Sequence, residues 1–424
     1  MHLVVWLCLP DGSWIQAGDL ATTDPDPVRG AMRGEFRYHP DYLGDVRAFS
    51  LDPAHLPLGP GIFVADRPRS GVHAVFEDSL PDDWGRGLLV RRYAIPRGQQ
   101  RVPALLRYLG TCGLGALGYL APGVTPKSLA IGSEASLPDI PALVRAADRH
   151  LRGVPTDDTR PDELDLLFRA GSSPGGARPK ALIEHDGCCW IAKFPSGKDA
   201  MDIVRIESAT LALARRAGMN VPDFQVVEVG STCALLVRRF DLPGGRLGSG
   251  RYHMISLGAL LGAENYYQAG YEDIATTLRE HSCRPEIDLP ALFRMAVFNA
   301  VIGNTDDHLK NFSMLYDESG WRLAPAYDLL PDINNQHEHV LHFGLHGHNP
   351  DRGALLDLAG RAGVSLSTAT KIIHEVSVAV ASWDAVFASH GVPRSDIERL
   401  SASISARLRR IADADPGDAP VLAP

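Results

Sequence analysis

A chain of 424 residues, 45% hydrophobic and 22% charged, is long enough for two or three domains and a sizeable core. Its formal net charge of −9 argues against broad non-specific binding to nucleic acid or an anionic membrane, because the diffuse field repels phosphate, and it leaves room only for a local basic patch. Six cysteines, Cys188 and Cys189 adjacent, fit no disulfide framework and no CxxC or Cys/His zinc spacing, so a reducing compartment is expected.

The first residues, "MHLVVWLCLPDGSW", lack a basic leader segment and a small-residue cleavage site, and are predicted to form a strand ending in the turn "PDGS". No apolar stretch approaches the ~20 residues of a membrane helix, so a cytoplasmic location without membrane contact is expected. Residues 1–125 carry Gly, Pro and short apolar runs such as "GIFVAD" and "GALGYLAPG", which predicts a small β-rich module with one helix after "SLPDDW". The polar stretch 123–141 reads as a connection, and "IPALVRAADRHLRG" as a helix.

Residues 126–240 are predicted to hold that linker helix and a strand-rich lobe. "KALIEH" and "CCWIAKF" form a hairpin through "DG"; "AMDIVRIESATLALARRAGM" has helical spacing; "DFQVVEVG" and "TCALLVRRF" are two more strands. Residues 241–412 are predicted to be mostly helical, from "MISLGALLG" onward, and 413–424 to be a small, acidic, Pro-rich tail that frays.

"GNTDDHLKNF", Gly303 to Phe312, is a polar knot between two segments apolar enough to be core, "LFRMAVFNAVI" and "FSMLY". It is a solvated turn, a metal site or a chemical centre. Phosphoryl transfer needs a backbone cradle for phosphates, a lysine to hold them, an acid to orient the lysine, a base for the acceptor hydroxyl and oxygen ligands for Mg²⁺. Asp306 and Asn311 have the D-x-x-x-x-N spacing of a base and a metal-binding amide, and Asp328 in "AYDLLP" follows beyond a hairpin. Upstream, "GSSPGGARPK" precedes a strand, so the amides around Gly175 and Gly176 suit a nucleotide. The same glycines fail as a Walker A loop, because Ala177 and Arg178 stand where Lys-[Ser/Thr] is required. Lys193 sits among apolar neighbours and needs a partner or a ligand; Glu207 on the next helix is the candidate partner.

Each part alone has a bland reading as a solvated turn, an edge lysine or a solvated helix glutamate. Five parts in one order on the expected element types carry the weight. A metal-dependent hydrolase built on Asp306, Asp307 and His308 is the weaker reading, since three adjacent side chains rarely converge on one ion.

The combination of "GGARPKA", "WIAKFPS", "NTDDHLKNF" and "AYDLLP", with "YLGTCGLGALGYL" near the amino terminus, resembles the HipA family of bacterial serine/threonine kinases, the toxins of certain toxin–antitoxin pairs. The resemblance covers nearly the whole chain. It implies an α+β, two-lobed protein-kinase-like fold with an N-terminal β-rich subdomain and a mostly helical C-terminal lobe. It implies ATP and Mg²⁺ as cofactors, with Asp306 the catalytic base, Asn311 and Asp328 the metal ligands and Lys193 the phosphate-holding lysine. The nucleotide surroundings would comprise Gly175, Gly176, Ala177, Arg178 and Lys180 of the loop, Glu207, the hinge Arg238, Arg239 and Phe240, and His308, Lys310 and Tyr327.

The resemblance further implies autophosphorylation just ahead of the glycines, at Ser173 with Ser172 the alternative, which would oppose nucleotide binding by adding a charge of about −1.5 to −2. It implies a protein substrate (aminoacyl-tRNA synthetases in the best-known relatives) and a small helix-turn-helix antitoxin of HipB type, through which DNA is met only indirectly. The alternative is a catalytically weak nucleotide-binding pseudokinase acting in a repressor complex. Retention of Asp306, Asn311, Asp328 and Lys193 favours turnover. Two positions depart from the pattern. The hinge "RRFD" is basic where an acid can occur, which leaves adenine contacts to the backbone. Asp307 stands where glycine can occur, as a further metal-shell carboxylate or, preferably, a helix-start cap.

Overall fold

The structure, a computed structural model, describes residues 1–65, 67, 69–126, 135–152, 166, 167, 170, 178–230, 232–246, 248, 250–263, 269–334 and 336–412. The chain divides into two compact units. The first comprises Met1–Asp199, Pro222–Gly262 and Ser313–Trp321; the second comprises Ala200–Val221, Ala263–Phe312 and Arg322–Pro424.

The first unit opens with five strands, β1 (His2–Cys8), β2 (Trp14–Thr22), β3 (Gly34–Tyr38), β4 (Phe63–Val64) and β5 (Leu117–Leu120), ordered β4-β3-β2-β1-β5. Phe36 and Phe76 sit 5.0 Å apart in its core, and Tyr38 keeps its buried hydroxyl satisfied by donating to Leu56 O at 2.6 Å. The module holds more helix than its sequence suggests, with Ala74–Asp78 and Val102–Leu109 beside the expected Asp83–Arg92. Val102–Leu109 is short, but Pro103 suits its first turn, and Val102, Leu105, Leu106 and Leu109 bury one face at spacings of three and four.

A second antiparallel sheet, β6 (Lys180–His185), β7 (Cys188–Lys193), β8 (Phe224–Val229) and β9 (Thr232–Arg238), has the order β6-β7-β9-β8. Asp186 and Gly187 both have positive φ, 52° and 68°, so the predicted "DG" connection is a tight turn of the kind that matches strand twist. β10 (His253–Ser256) pairs antiparallel with β11 (Ser313–Asp317), with β12 (Gly320–Leu323) beyond it. "HMIS" is therefore a strand, not the start of a helix; its backbone is satisfied by β11, and only Leu257–Leu260 turns helical, capped by Ser256 Oγ on Ala259 N at 3.2 Å.

Residues 1–125 do not stand apart from the strand-rich segment. Asp241 accepts from Gly115 N at 2.8 Å, and Arg251 donates to Thr111 O at 2.9 Å and Gly113 O at 3.2 Å. Buried polar groups must find partners, and these find theirs in the other stretch of the same unit.

The second unit is helical. From Leu292 onward every residue of Pro285–Ile302 except Arg294 is buried, and the helix packs against Tyr271–His281, Arg352–Ala362, Leu366–Val380 and Arg394–Ala412. Phe293 and Phe298 are 1% and 0% exposed, and truncating either to Ala would cost about 3–5 kcal/mol. The helix Ile203–Arg216, expected in the strand-rich lobe, packs instead on Leu366–Val380 and Trp383–Ser389. Its N-terminus is capped by Asp202, which accepts from Arg205 N at 3.1 Å.

Candidate active site

Helix Pro285–Ile302 ends at Gly303 in the left-handed conformation, φ 78°, which glycine adopts without a Cβ penalty. The polar segment that follows alternates sharply. Asn304 and Thr305 are buried, the Asp306 side chain is 71% exposed, and Asp307 is 0% exposed. A single 3₁₀ turn, Leu309–Asn311, then leads into β11.

Asn311 is buried and donates from Nδ2 to the backbone oxygen of Asp306 at 2.8 Å, which fixes the amide against the segment carrying the acid. Its Oδ1 is the atom type that a hard cation takes. Tyr327 donates its hydroxyl to Lys310 O at 2.9 Å and ties the "AYD" segment to the same turn. Asp328 is held at φ 56°, a conformation that a non-glycine residue adopts only when its surroundings enforce it. Crowding by protein pushes the Asp306 carboxyl up from its ordinary value; His308 opposes this, and the like charges of Asp328 and Asp307 add to it. With the side chain largely in water, much of the effect is screened. His308 Nε2 lies 3.8 Å from Asp306 Oδ1. The second unit thus brings Asp306, Asn311, Asp328, His308, Lys310 and Tyr327 together.

Asp307 does neither job expected of it. It caps no helix, because the 3₁₀ turn begins at Leu309 behind His308, and it is turned away from water. Oδ2 accepts from Tyr271 Oη at 2.8 Å and His339 Nδ1 at 3.0 Å, while Oδ1 accepts from Val340 N at 2.8 Å and Leu341 N at 3.3 Å. A buried carboxylate is tolerated only with such saturation. The trio Asp306, Asp307 and His308 therefore makes no metal site. Nothing in the sequence marked Tyr271, over 30 residues upstream, or His339, over 30 downstream, as partners.

The first unit carries the other candidates except Glu207. Lys180 and Lys193 are direct partners in the β6–β7 register, so their side chains leave the same face of the sheet. Lys180 is 4% exposed and Lys193 half-buried. Leu182, Ile191, Leu235 and Val237 share that face by register, giving it an apolar floor. Arg178 forms an ion pair with Asp199 at 2.6 Å. Gly175, Gly176, Ala177, Ser172 and Ser173 lie outside the described residues, as does the 413–424 tail.

The hinge is not a basic patch. Arg239 is 2% exposed and binds Asp241 through two bonds, Nε to Oδ1 at 3.0 Å and Nη2 to Oδ2 at 2.6 Å. Arg238 donates to Asp223 Oδ2 at 3.0 Å and to Gly244 O. Both guanidinium groups are thus committed to protein partners, so a base at this hinge would meet backbone groups and not these side chains. Glu207 is 2% exposed on the helix Ile203–Arg216 of the second unit.

A family model for the HipA-like C-terminal domain matches residues 172–383, half of the chain, and another for the HipA N-terminal domain matches residues 15–120. The chain belongs to the HipA family. A putative kinase, Y4dM, of Sinorhizobium fredii is 30% identical over 237 residues, 51% of this chain and 54% of that protein. A second putative kinase of that organism, Y4mE, is 33% identical over 152 residues, 34% of either chain. The serine/threonine-protein kinase toxin HipA of Shewanella oneidensis is 26% identical over 304 residues, 65% of this chain and 66% of that one. The chain thus spans about half, a third and two thirds of the lengths of these three relatives. Among solved structures, the Shewanella oneidensis complex of HipA, HipB and operator DNA holds a chain with a TM-score of 0.69 at 19% identity, covering 96% of this chain and 97% of that one. The α+β HipA fold, kinase-like and in two lobes, is therefore the fold of this chain.

Proposed function

We propose that this HipA-family chain is an ATP- and Mg²⁺-dependent serine/threonine protein kinase. The observation that carries the reading is the company kept by Asp306: an exposed carboxylate whose backbone oxygen is held by Asn311 and whose charge is felt by Asp328, itself in an enforced left-handed conformation.

The residues fit the nucleotide and metal by donor chemistry. Asn311 Oδ1 and the Asp328 carboxylate are hard oxygen ligands of the kind Mg²⁺ takes, and Lys180 and Lys193 present paired cations suited to phosphates. Bound ATP supplies the transferable phosphoryl group, and Mg²⁺ neutralises its charge. Asp306 takes the proton of the acceptor hydroxyl, a role that needs the carboxyl ionised and reachable by substrate, and its side chain is exposed. The apolar face of β6, β7 and β9 suits the flat base, with hinge backbone groups around Phe240 giving it direction.

Autophosphorylation at Ser173, with Ser172 the alternative, belongs to the same reading, as does a protein substrate. A HipB-type antitoxin that carries the chain to DNA is supported by the likeness to the HipA chain solved with HipB and operator DNA. The pseudokinase alternative predicts nucleotide binding without transfer. Incubating the purified chain with Mg²⁺ and γ-labelled ATP separates the two. Wild type is expected to label itself and Ser173→Ala to lose most of the label while still binding ATP. Wild type that binds ATP but takes no label, with or without added protein acceptors, would favour the pseudokinase.

A further inference from the structure

Asp307 is the inner end of a buried polar line that the phosphotransfer chemistry does not use. His339, 2% exposed, gives its Nδ1 side to Asp307 Oδ2 at 3.0 Å, and its Nε2 faces Arg407 Nη1 at 3.4 Å. A guanidinium only donates, so Nε2 accepts and the ring proton sits on Nδ1, pointing at the carboxylate. The line is a cation, a neutral imidazole and an anion, all at most 6% exposed.

Arg407 comes from the helix Arg394–Ala412 and makes two further contacts, one with His337 and one with Gly303. Nη2 donates to His337 O at 2.8 Å, and a Cβ placed on Gly303 would fall 2.9 Å from Arg407 Nε. Gly303 is the first residue of the Gly303–Phe312 segment, so the arginine packs against its start and, through His339, against its middle. On the far side, Tyr271 donates to Asp307 and accepts from Asn299 Nδ2 at 3.0 Å, and Asn304 Nδ2 donates to Asn299 Oδ1 at 3.1 Å. With Asp307 fastened inward on both sides, its neighbour Asp306 is held outward.

We propose that Arg407, acting through His339 and Asp307, is a positioning residue that fixes the segment bearing Asp306, so that the C-terminal helix controls how well that carboxylate is aimed. A displacement of about 1 Å at a reacting group costs up to about 100-fold in rate, so a strut of this kind governs turnover without touching substrate. Asp306 as the base is taken from the kinase reading; the mechanical coupling does not depend on it.

The test uses the full chain and the variants Arg407→Lys, Arg407→Met and Asp307→Asn, with amide hydrogen exchange beside ATP turnover. Exchange over 303–312 is expected to quicken by about 10-fold in Arg407→Met and Asp307→Asn, and by less in Arg407→Lys, with the helix Leu366–Val380 unchanged. The kcat of Asp306-dependent transfer should fall by about 10-fold or more in Arg407→Met, with KM for ATP moving less than about two-fold. Unchanged exchange over 303–312 in these variants overturns the coupling, whatever the activity. If Arg407→Met loosens throughout, Arg407→Lys decides: local quickening there supports the proposal and none refutes it. A wild type without Asp306-dependent turnover, but with the exchange response intact, would refute the kinase reading and leave the coupling standing.

Discussion

Lys180 stands directly opposite Lys193 across the β6–β7 ladder, so two cationic side chains leave one face of the sheet a strand's width apart. In the proposed kinase reading this face meets the phosphates of the nucleotide, a polyanion that both cations would attract.

Nucleotide should therefore stabilise the chain through these lysines. At Mg·ATP about 100 times its Kd, wild type is expected to gain about 2.7 kcal/mol. Lys193→Met, if it weakens binding about tenfold, should gain about 1.4 kcal/mol less under the same conditions. Urea unfolding with and without nucleotide measures both. An identical gain in the variant would remove Lys193 from the site.

Asp306→Asn separates stability from chemistry. Crowding and the charges of Asp328 and Asp307 raise the folded-state pKa of Asp306, so over the window above its ordinary value the folded chain holds a proton that the unfolded chain has released. Stability is therefore lost as pH rises through that window. The variant should melt at or slightly above the wild-type temperature at pH 7–8, and the two should coincide below about pH 3. With 71% of the side chain exposed the difference will be small. A variant clearly less stable at pH 7–8 would contradict the arrangement of charges.

The buried pair Arg239–Asp241 predicts a steep asymmetry. Burial disfavours the Asp241 carboxylate, yet Arg239 beside it, with help from Gly115 N, holds it below the ordinary range. Arg239→Met should cost about 3–5 kcal/mol by stranding that charge, whereas Arg239→Met with Asp241→Leu should cost much less. Denaturant midpoints for the three proteins check this; equal losses would mean that the pair is not coupled.

Acid should loosen the chain through His253. Burial pushes this imidazole down to about 4, while its Nε2 meets Leu51 O at 2.8 Å. The unfolded chain takes up the proton as pH falls below the ordinary value of 6.5 and the folded chain does not, so stability drops between pH 6.5 and 4. The contribution is at most about 2 kcal/mol from pH 6.5 to 5. His253→Gln should flatten that part of the stability-versus-pH curve, and an unchanged slope would contradict the assignment.

Local features were legible in the sequence where local chemistry decides them. "DG" between two apolar runs gave the β6–β7 turn, and the spacing of Asp306 and Asn311 marked the polar segment. "HMIS" reads locally as the start of a helix because its partner strand begins nearly 60 residues later, at Ser313, and pairing at that range leaves no local trace. Asp307 reads as a cap for the same reason: an acid ahead of a short turn looks like one until its four donors, from Tyr271, His339, Val340 and Leu341, are in place. The arginines of "RRFD" read as a basic hinge because their neutralising partners, Asp241 and Asp223, have no motif of their own.

The most direct test of the account is transfer of label from γ-labelled ATP, in Mg²⁺, by wild type and by Asp306→Asn at matched nucleotide occupancy. The account predicts label on the wild type and at least about 100-fold less on the variant, with ATP binding retained. Equal labelling of the two proteins would contradict it.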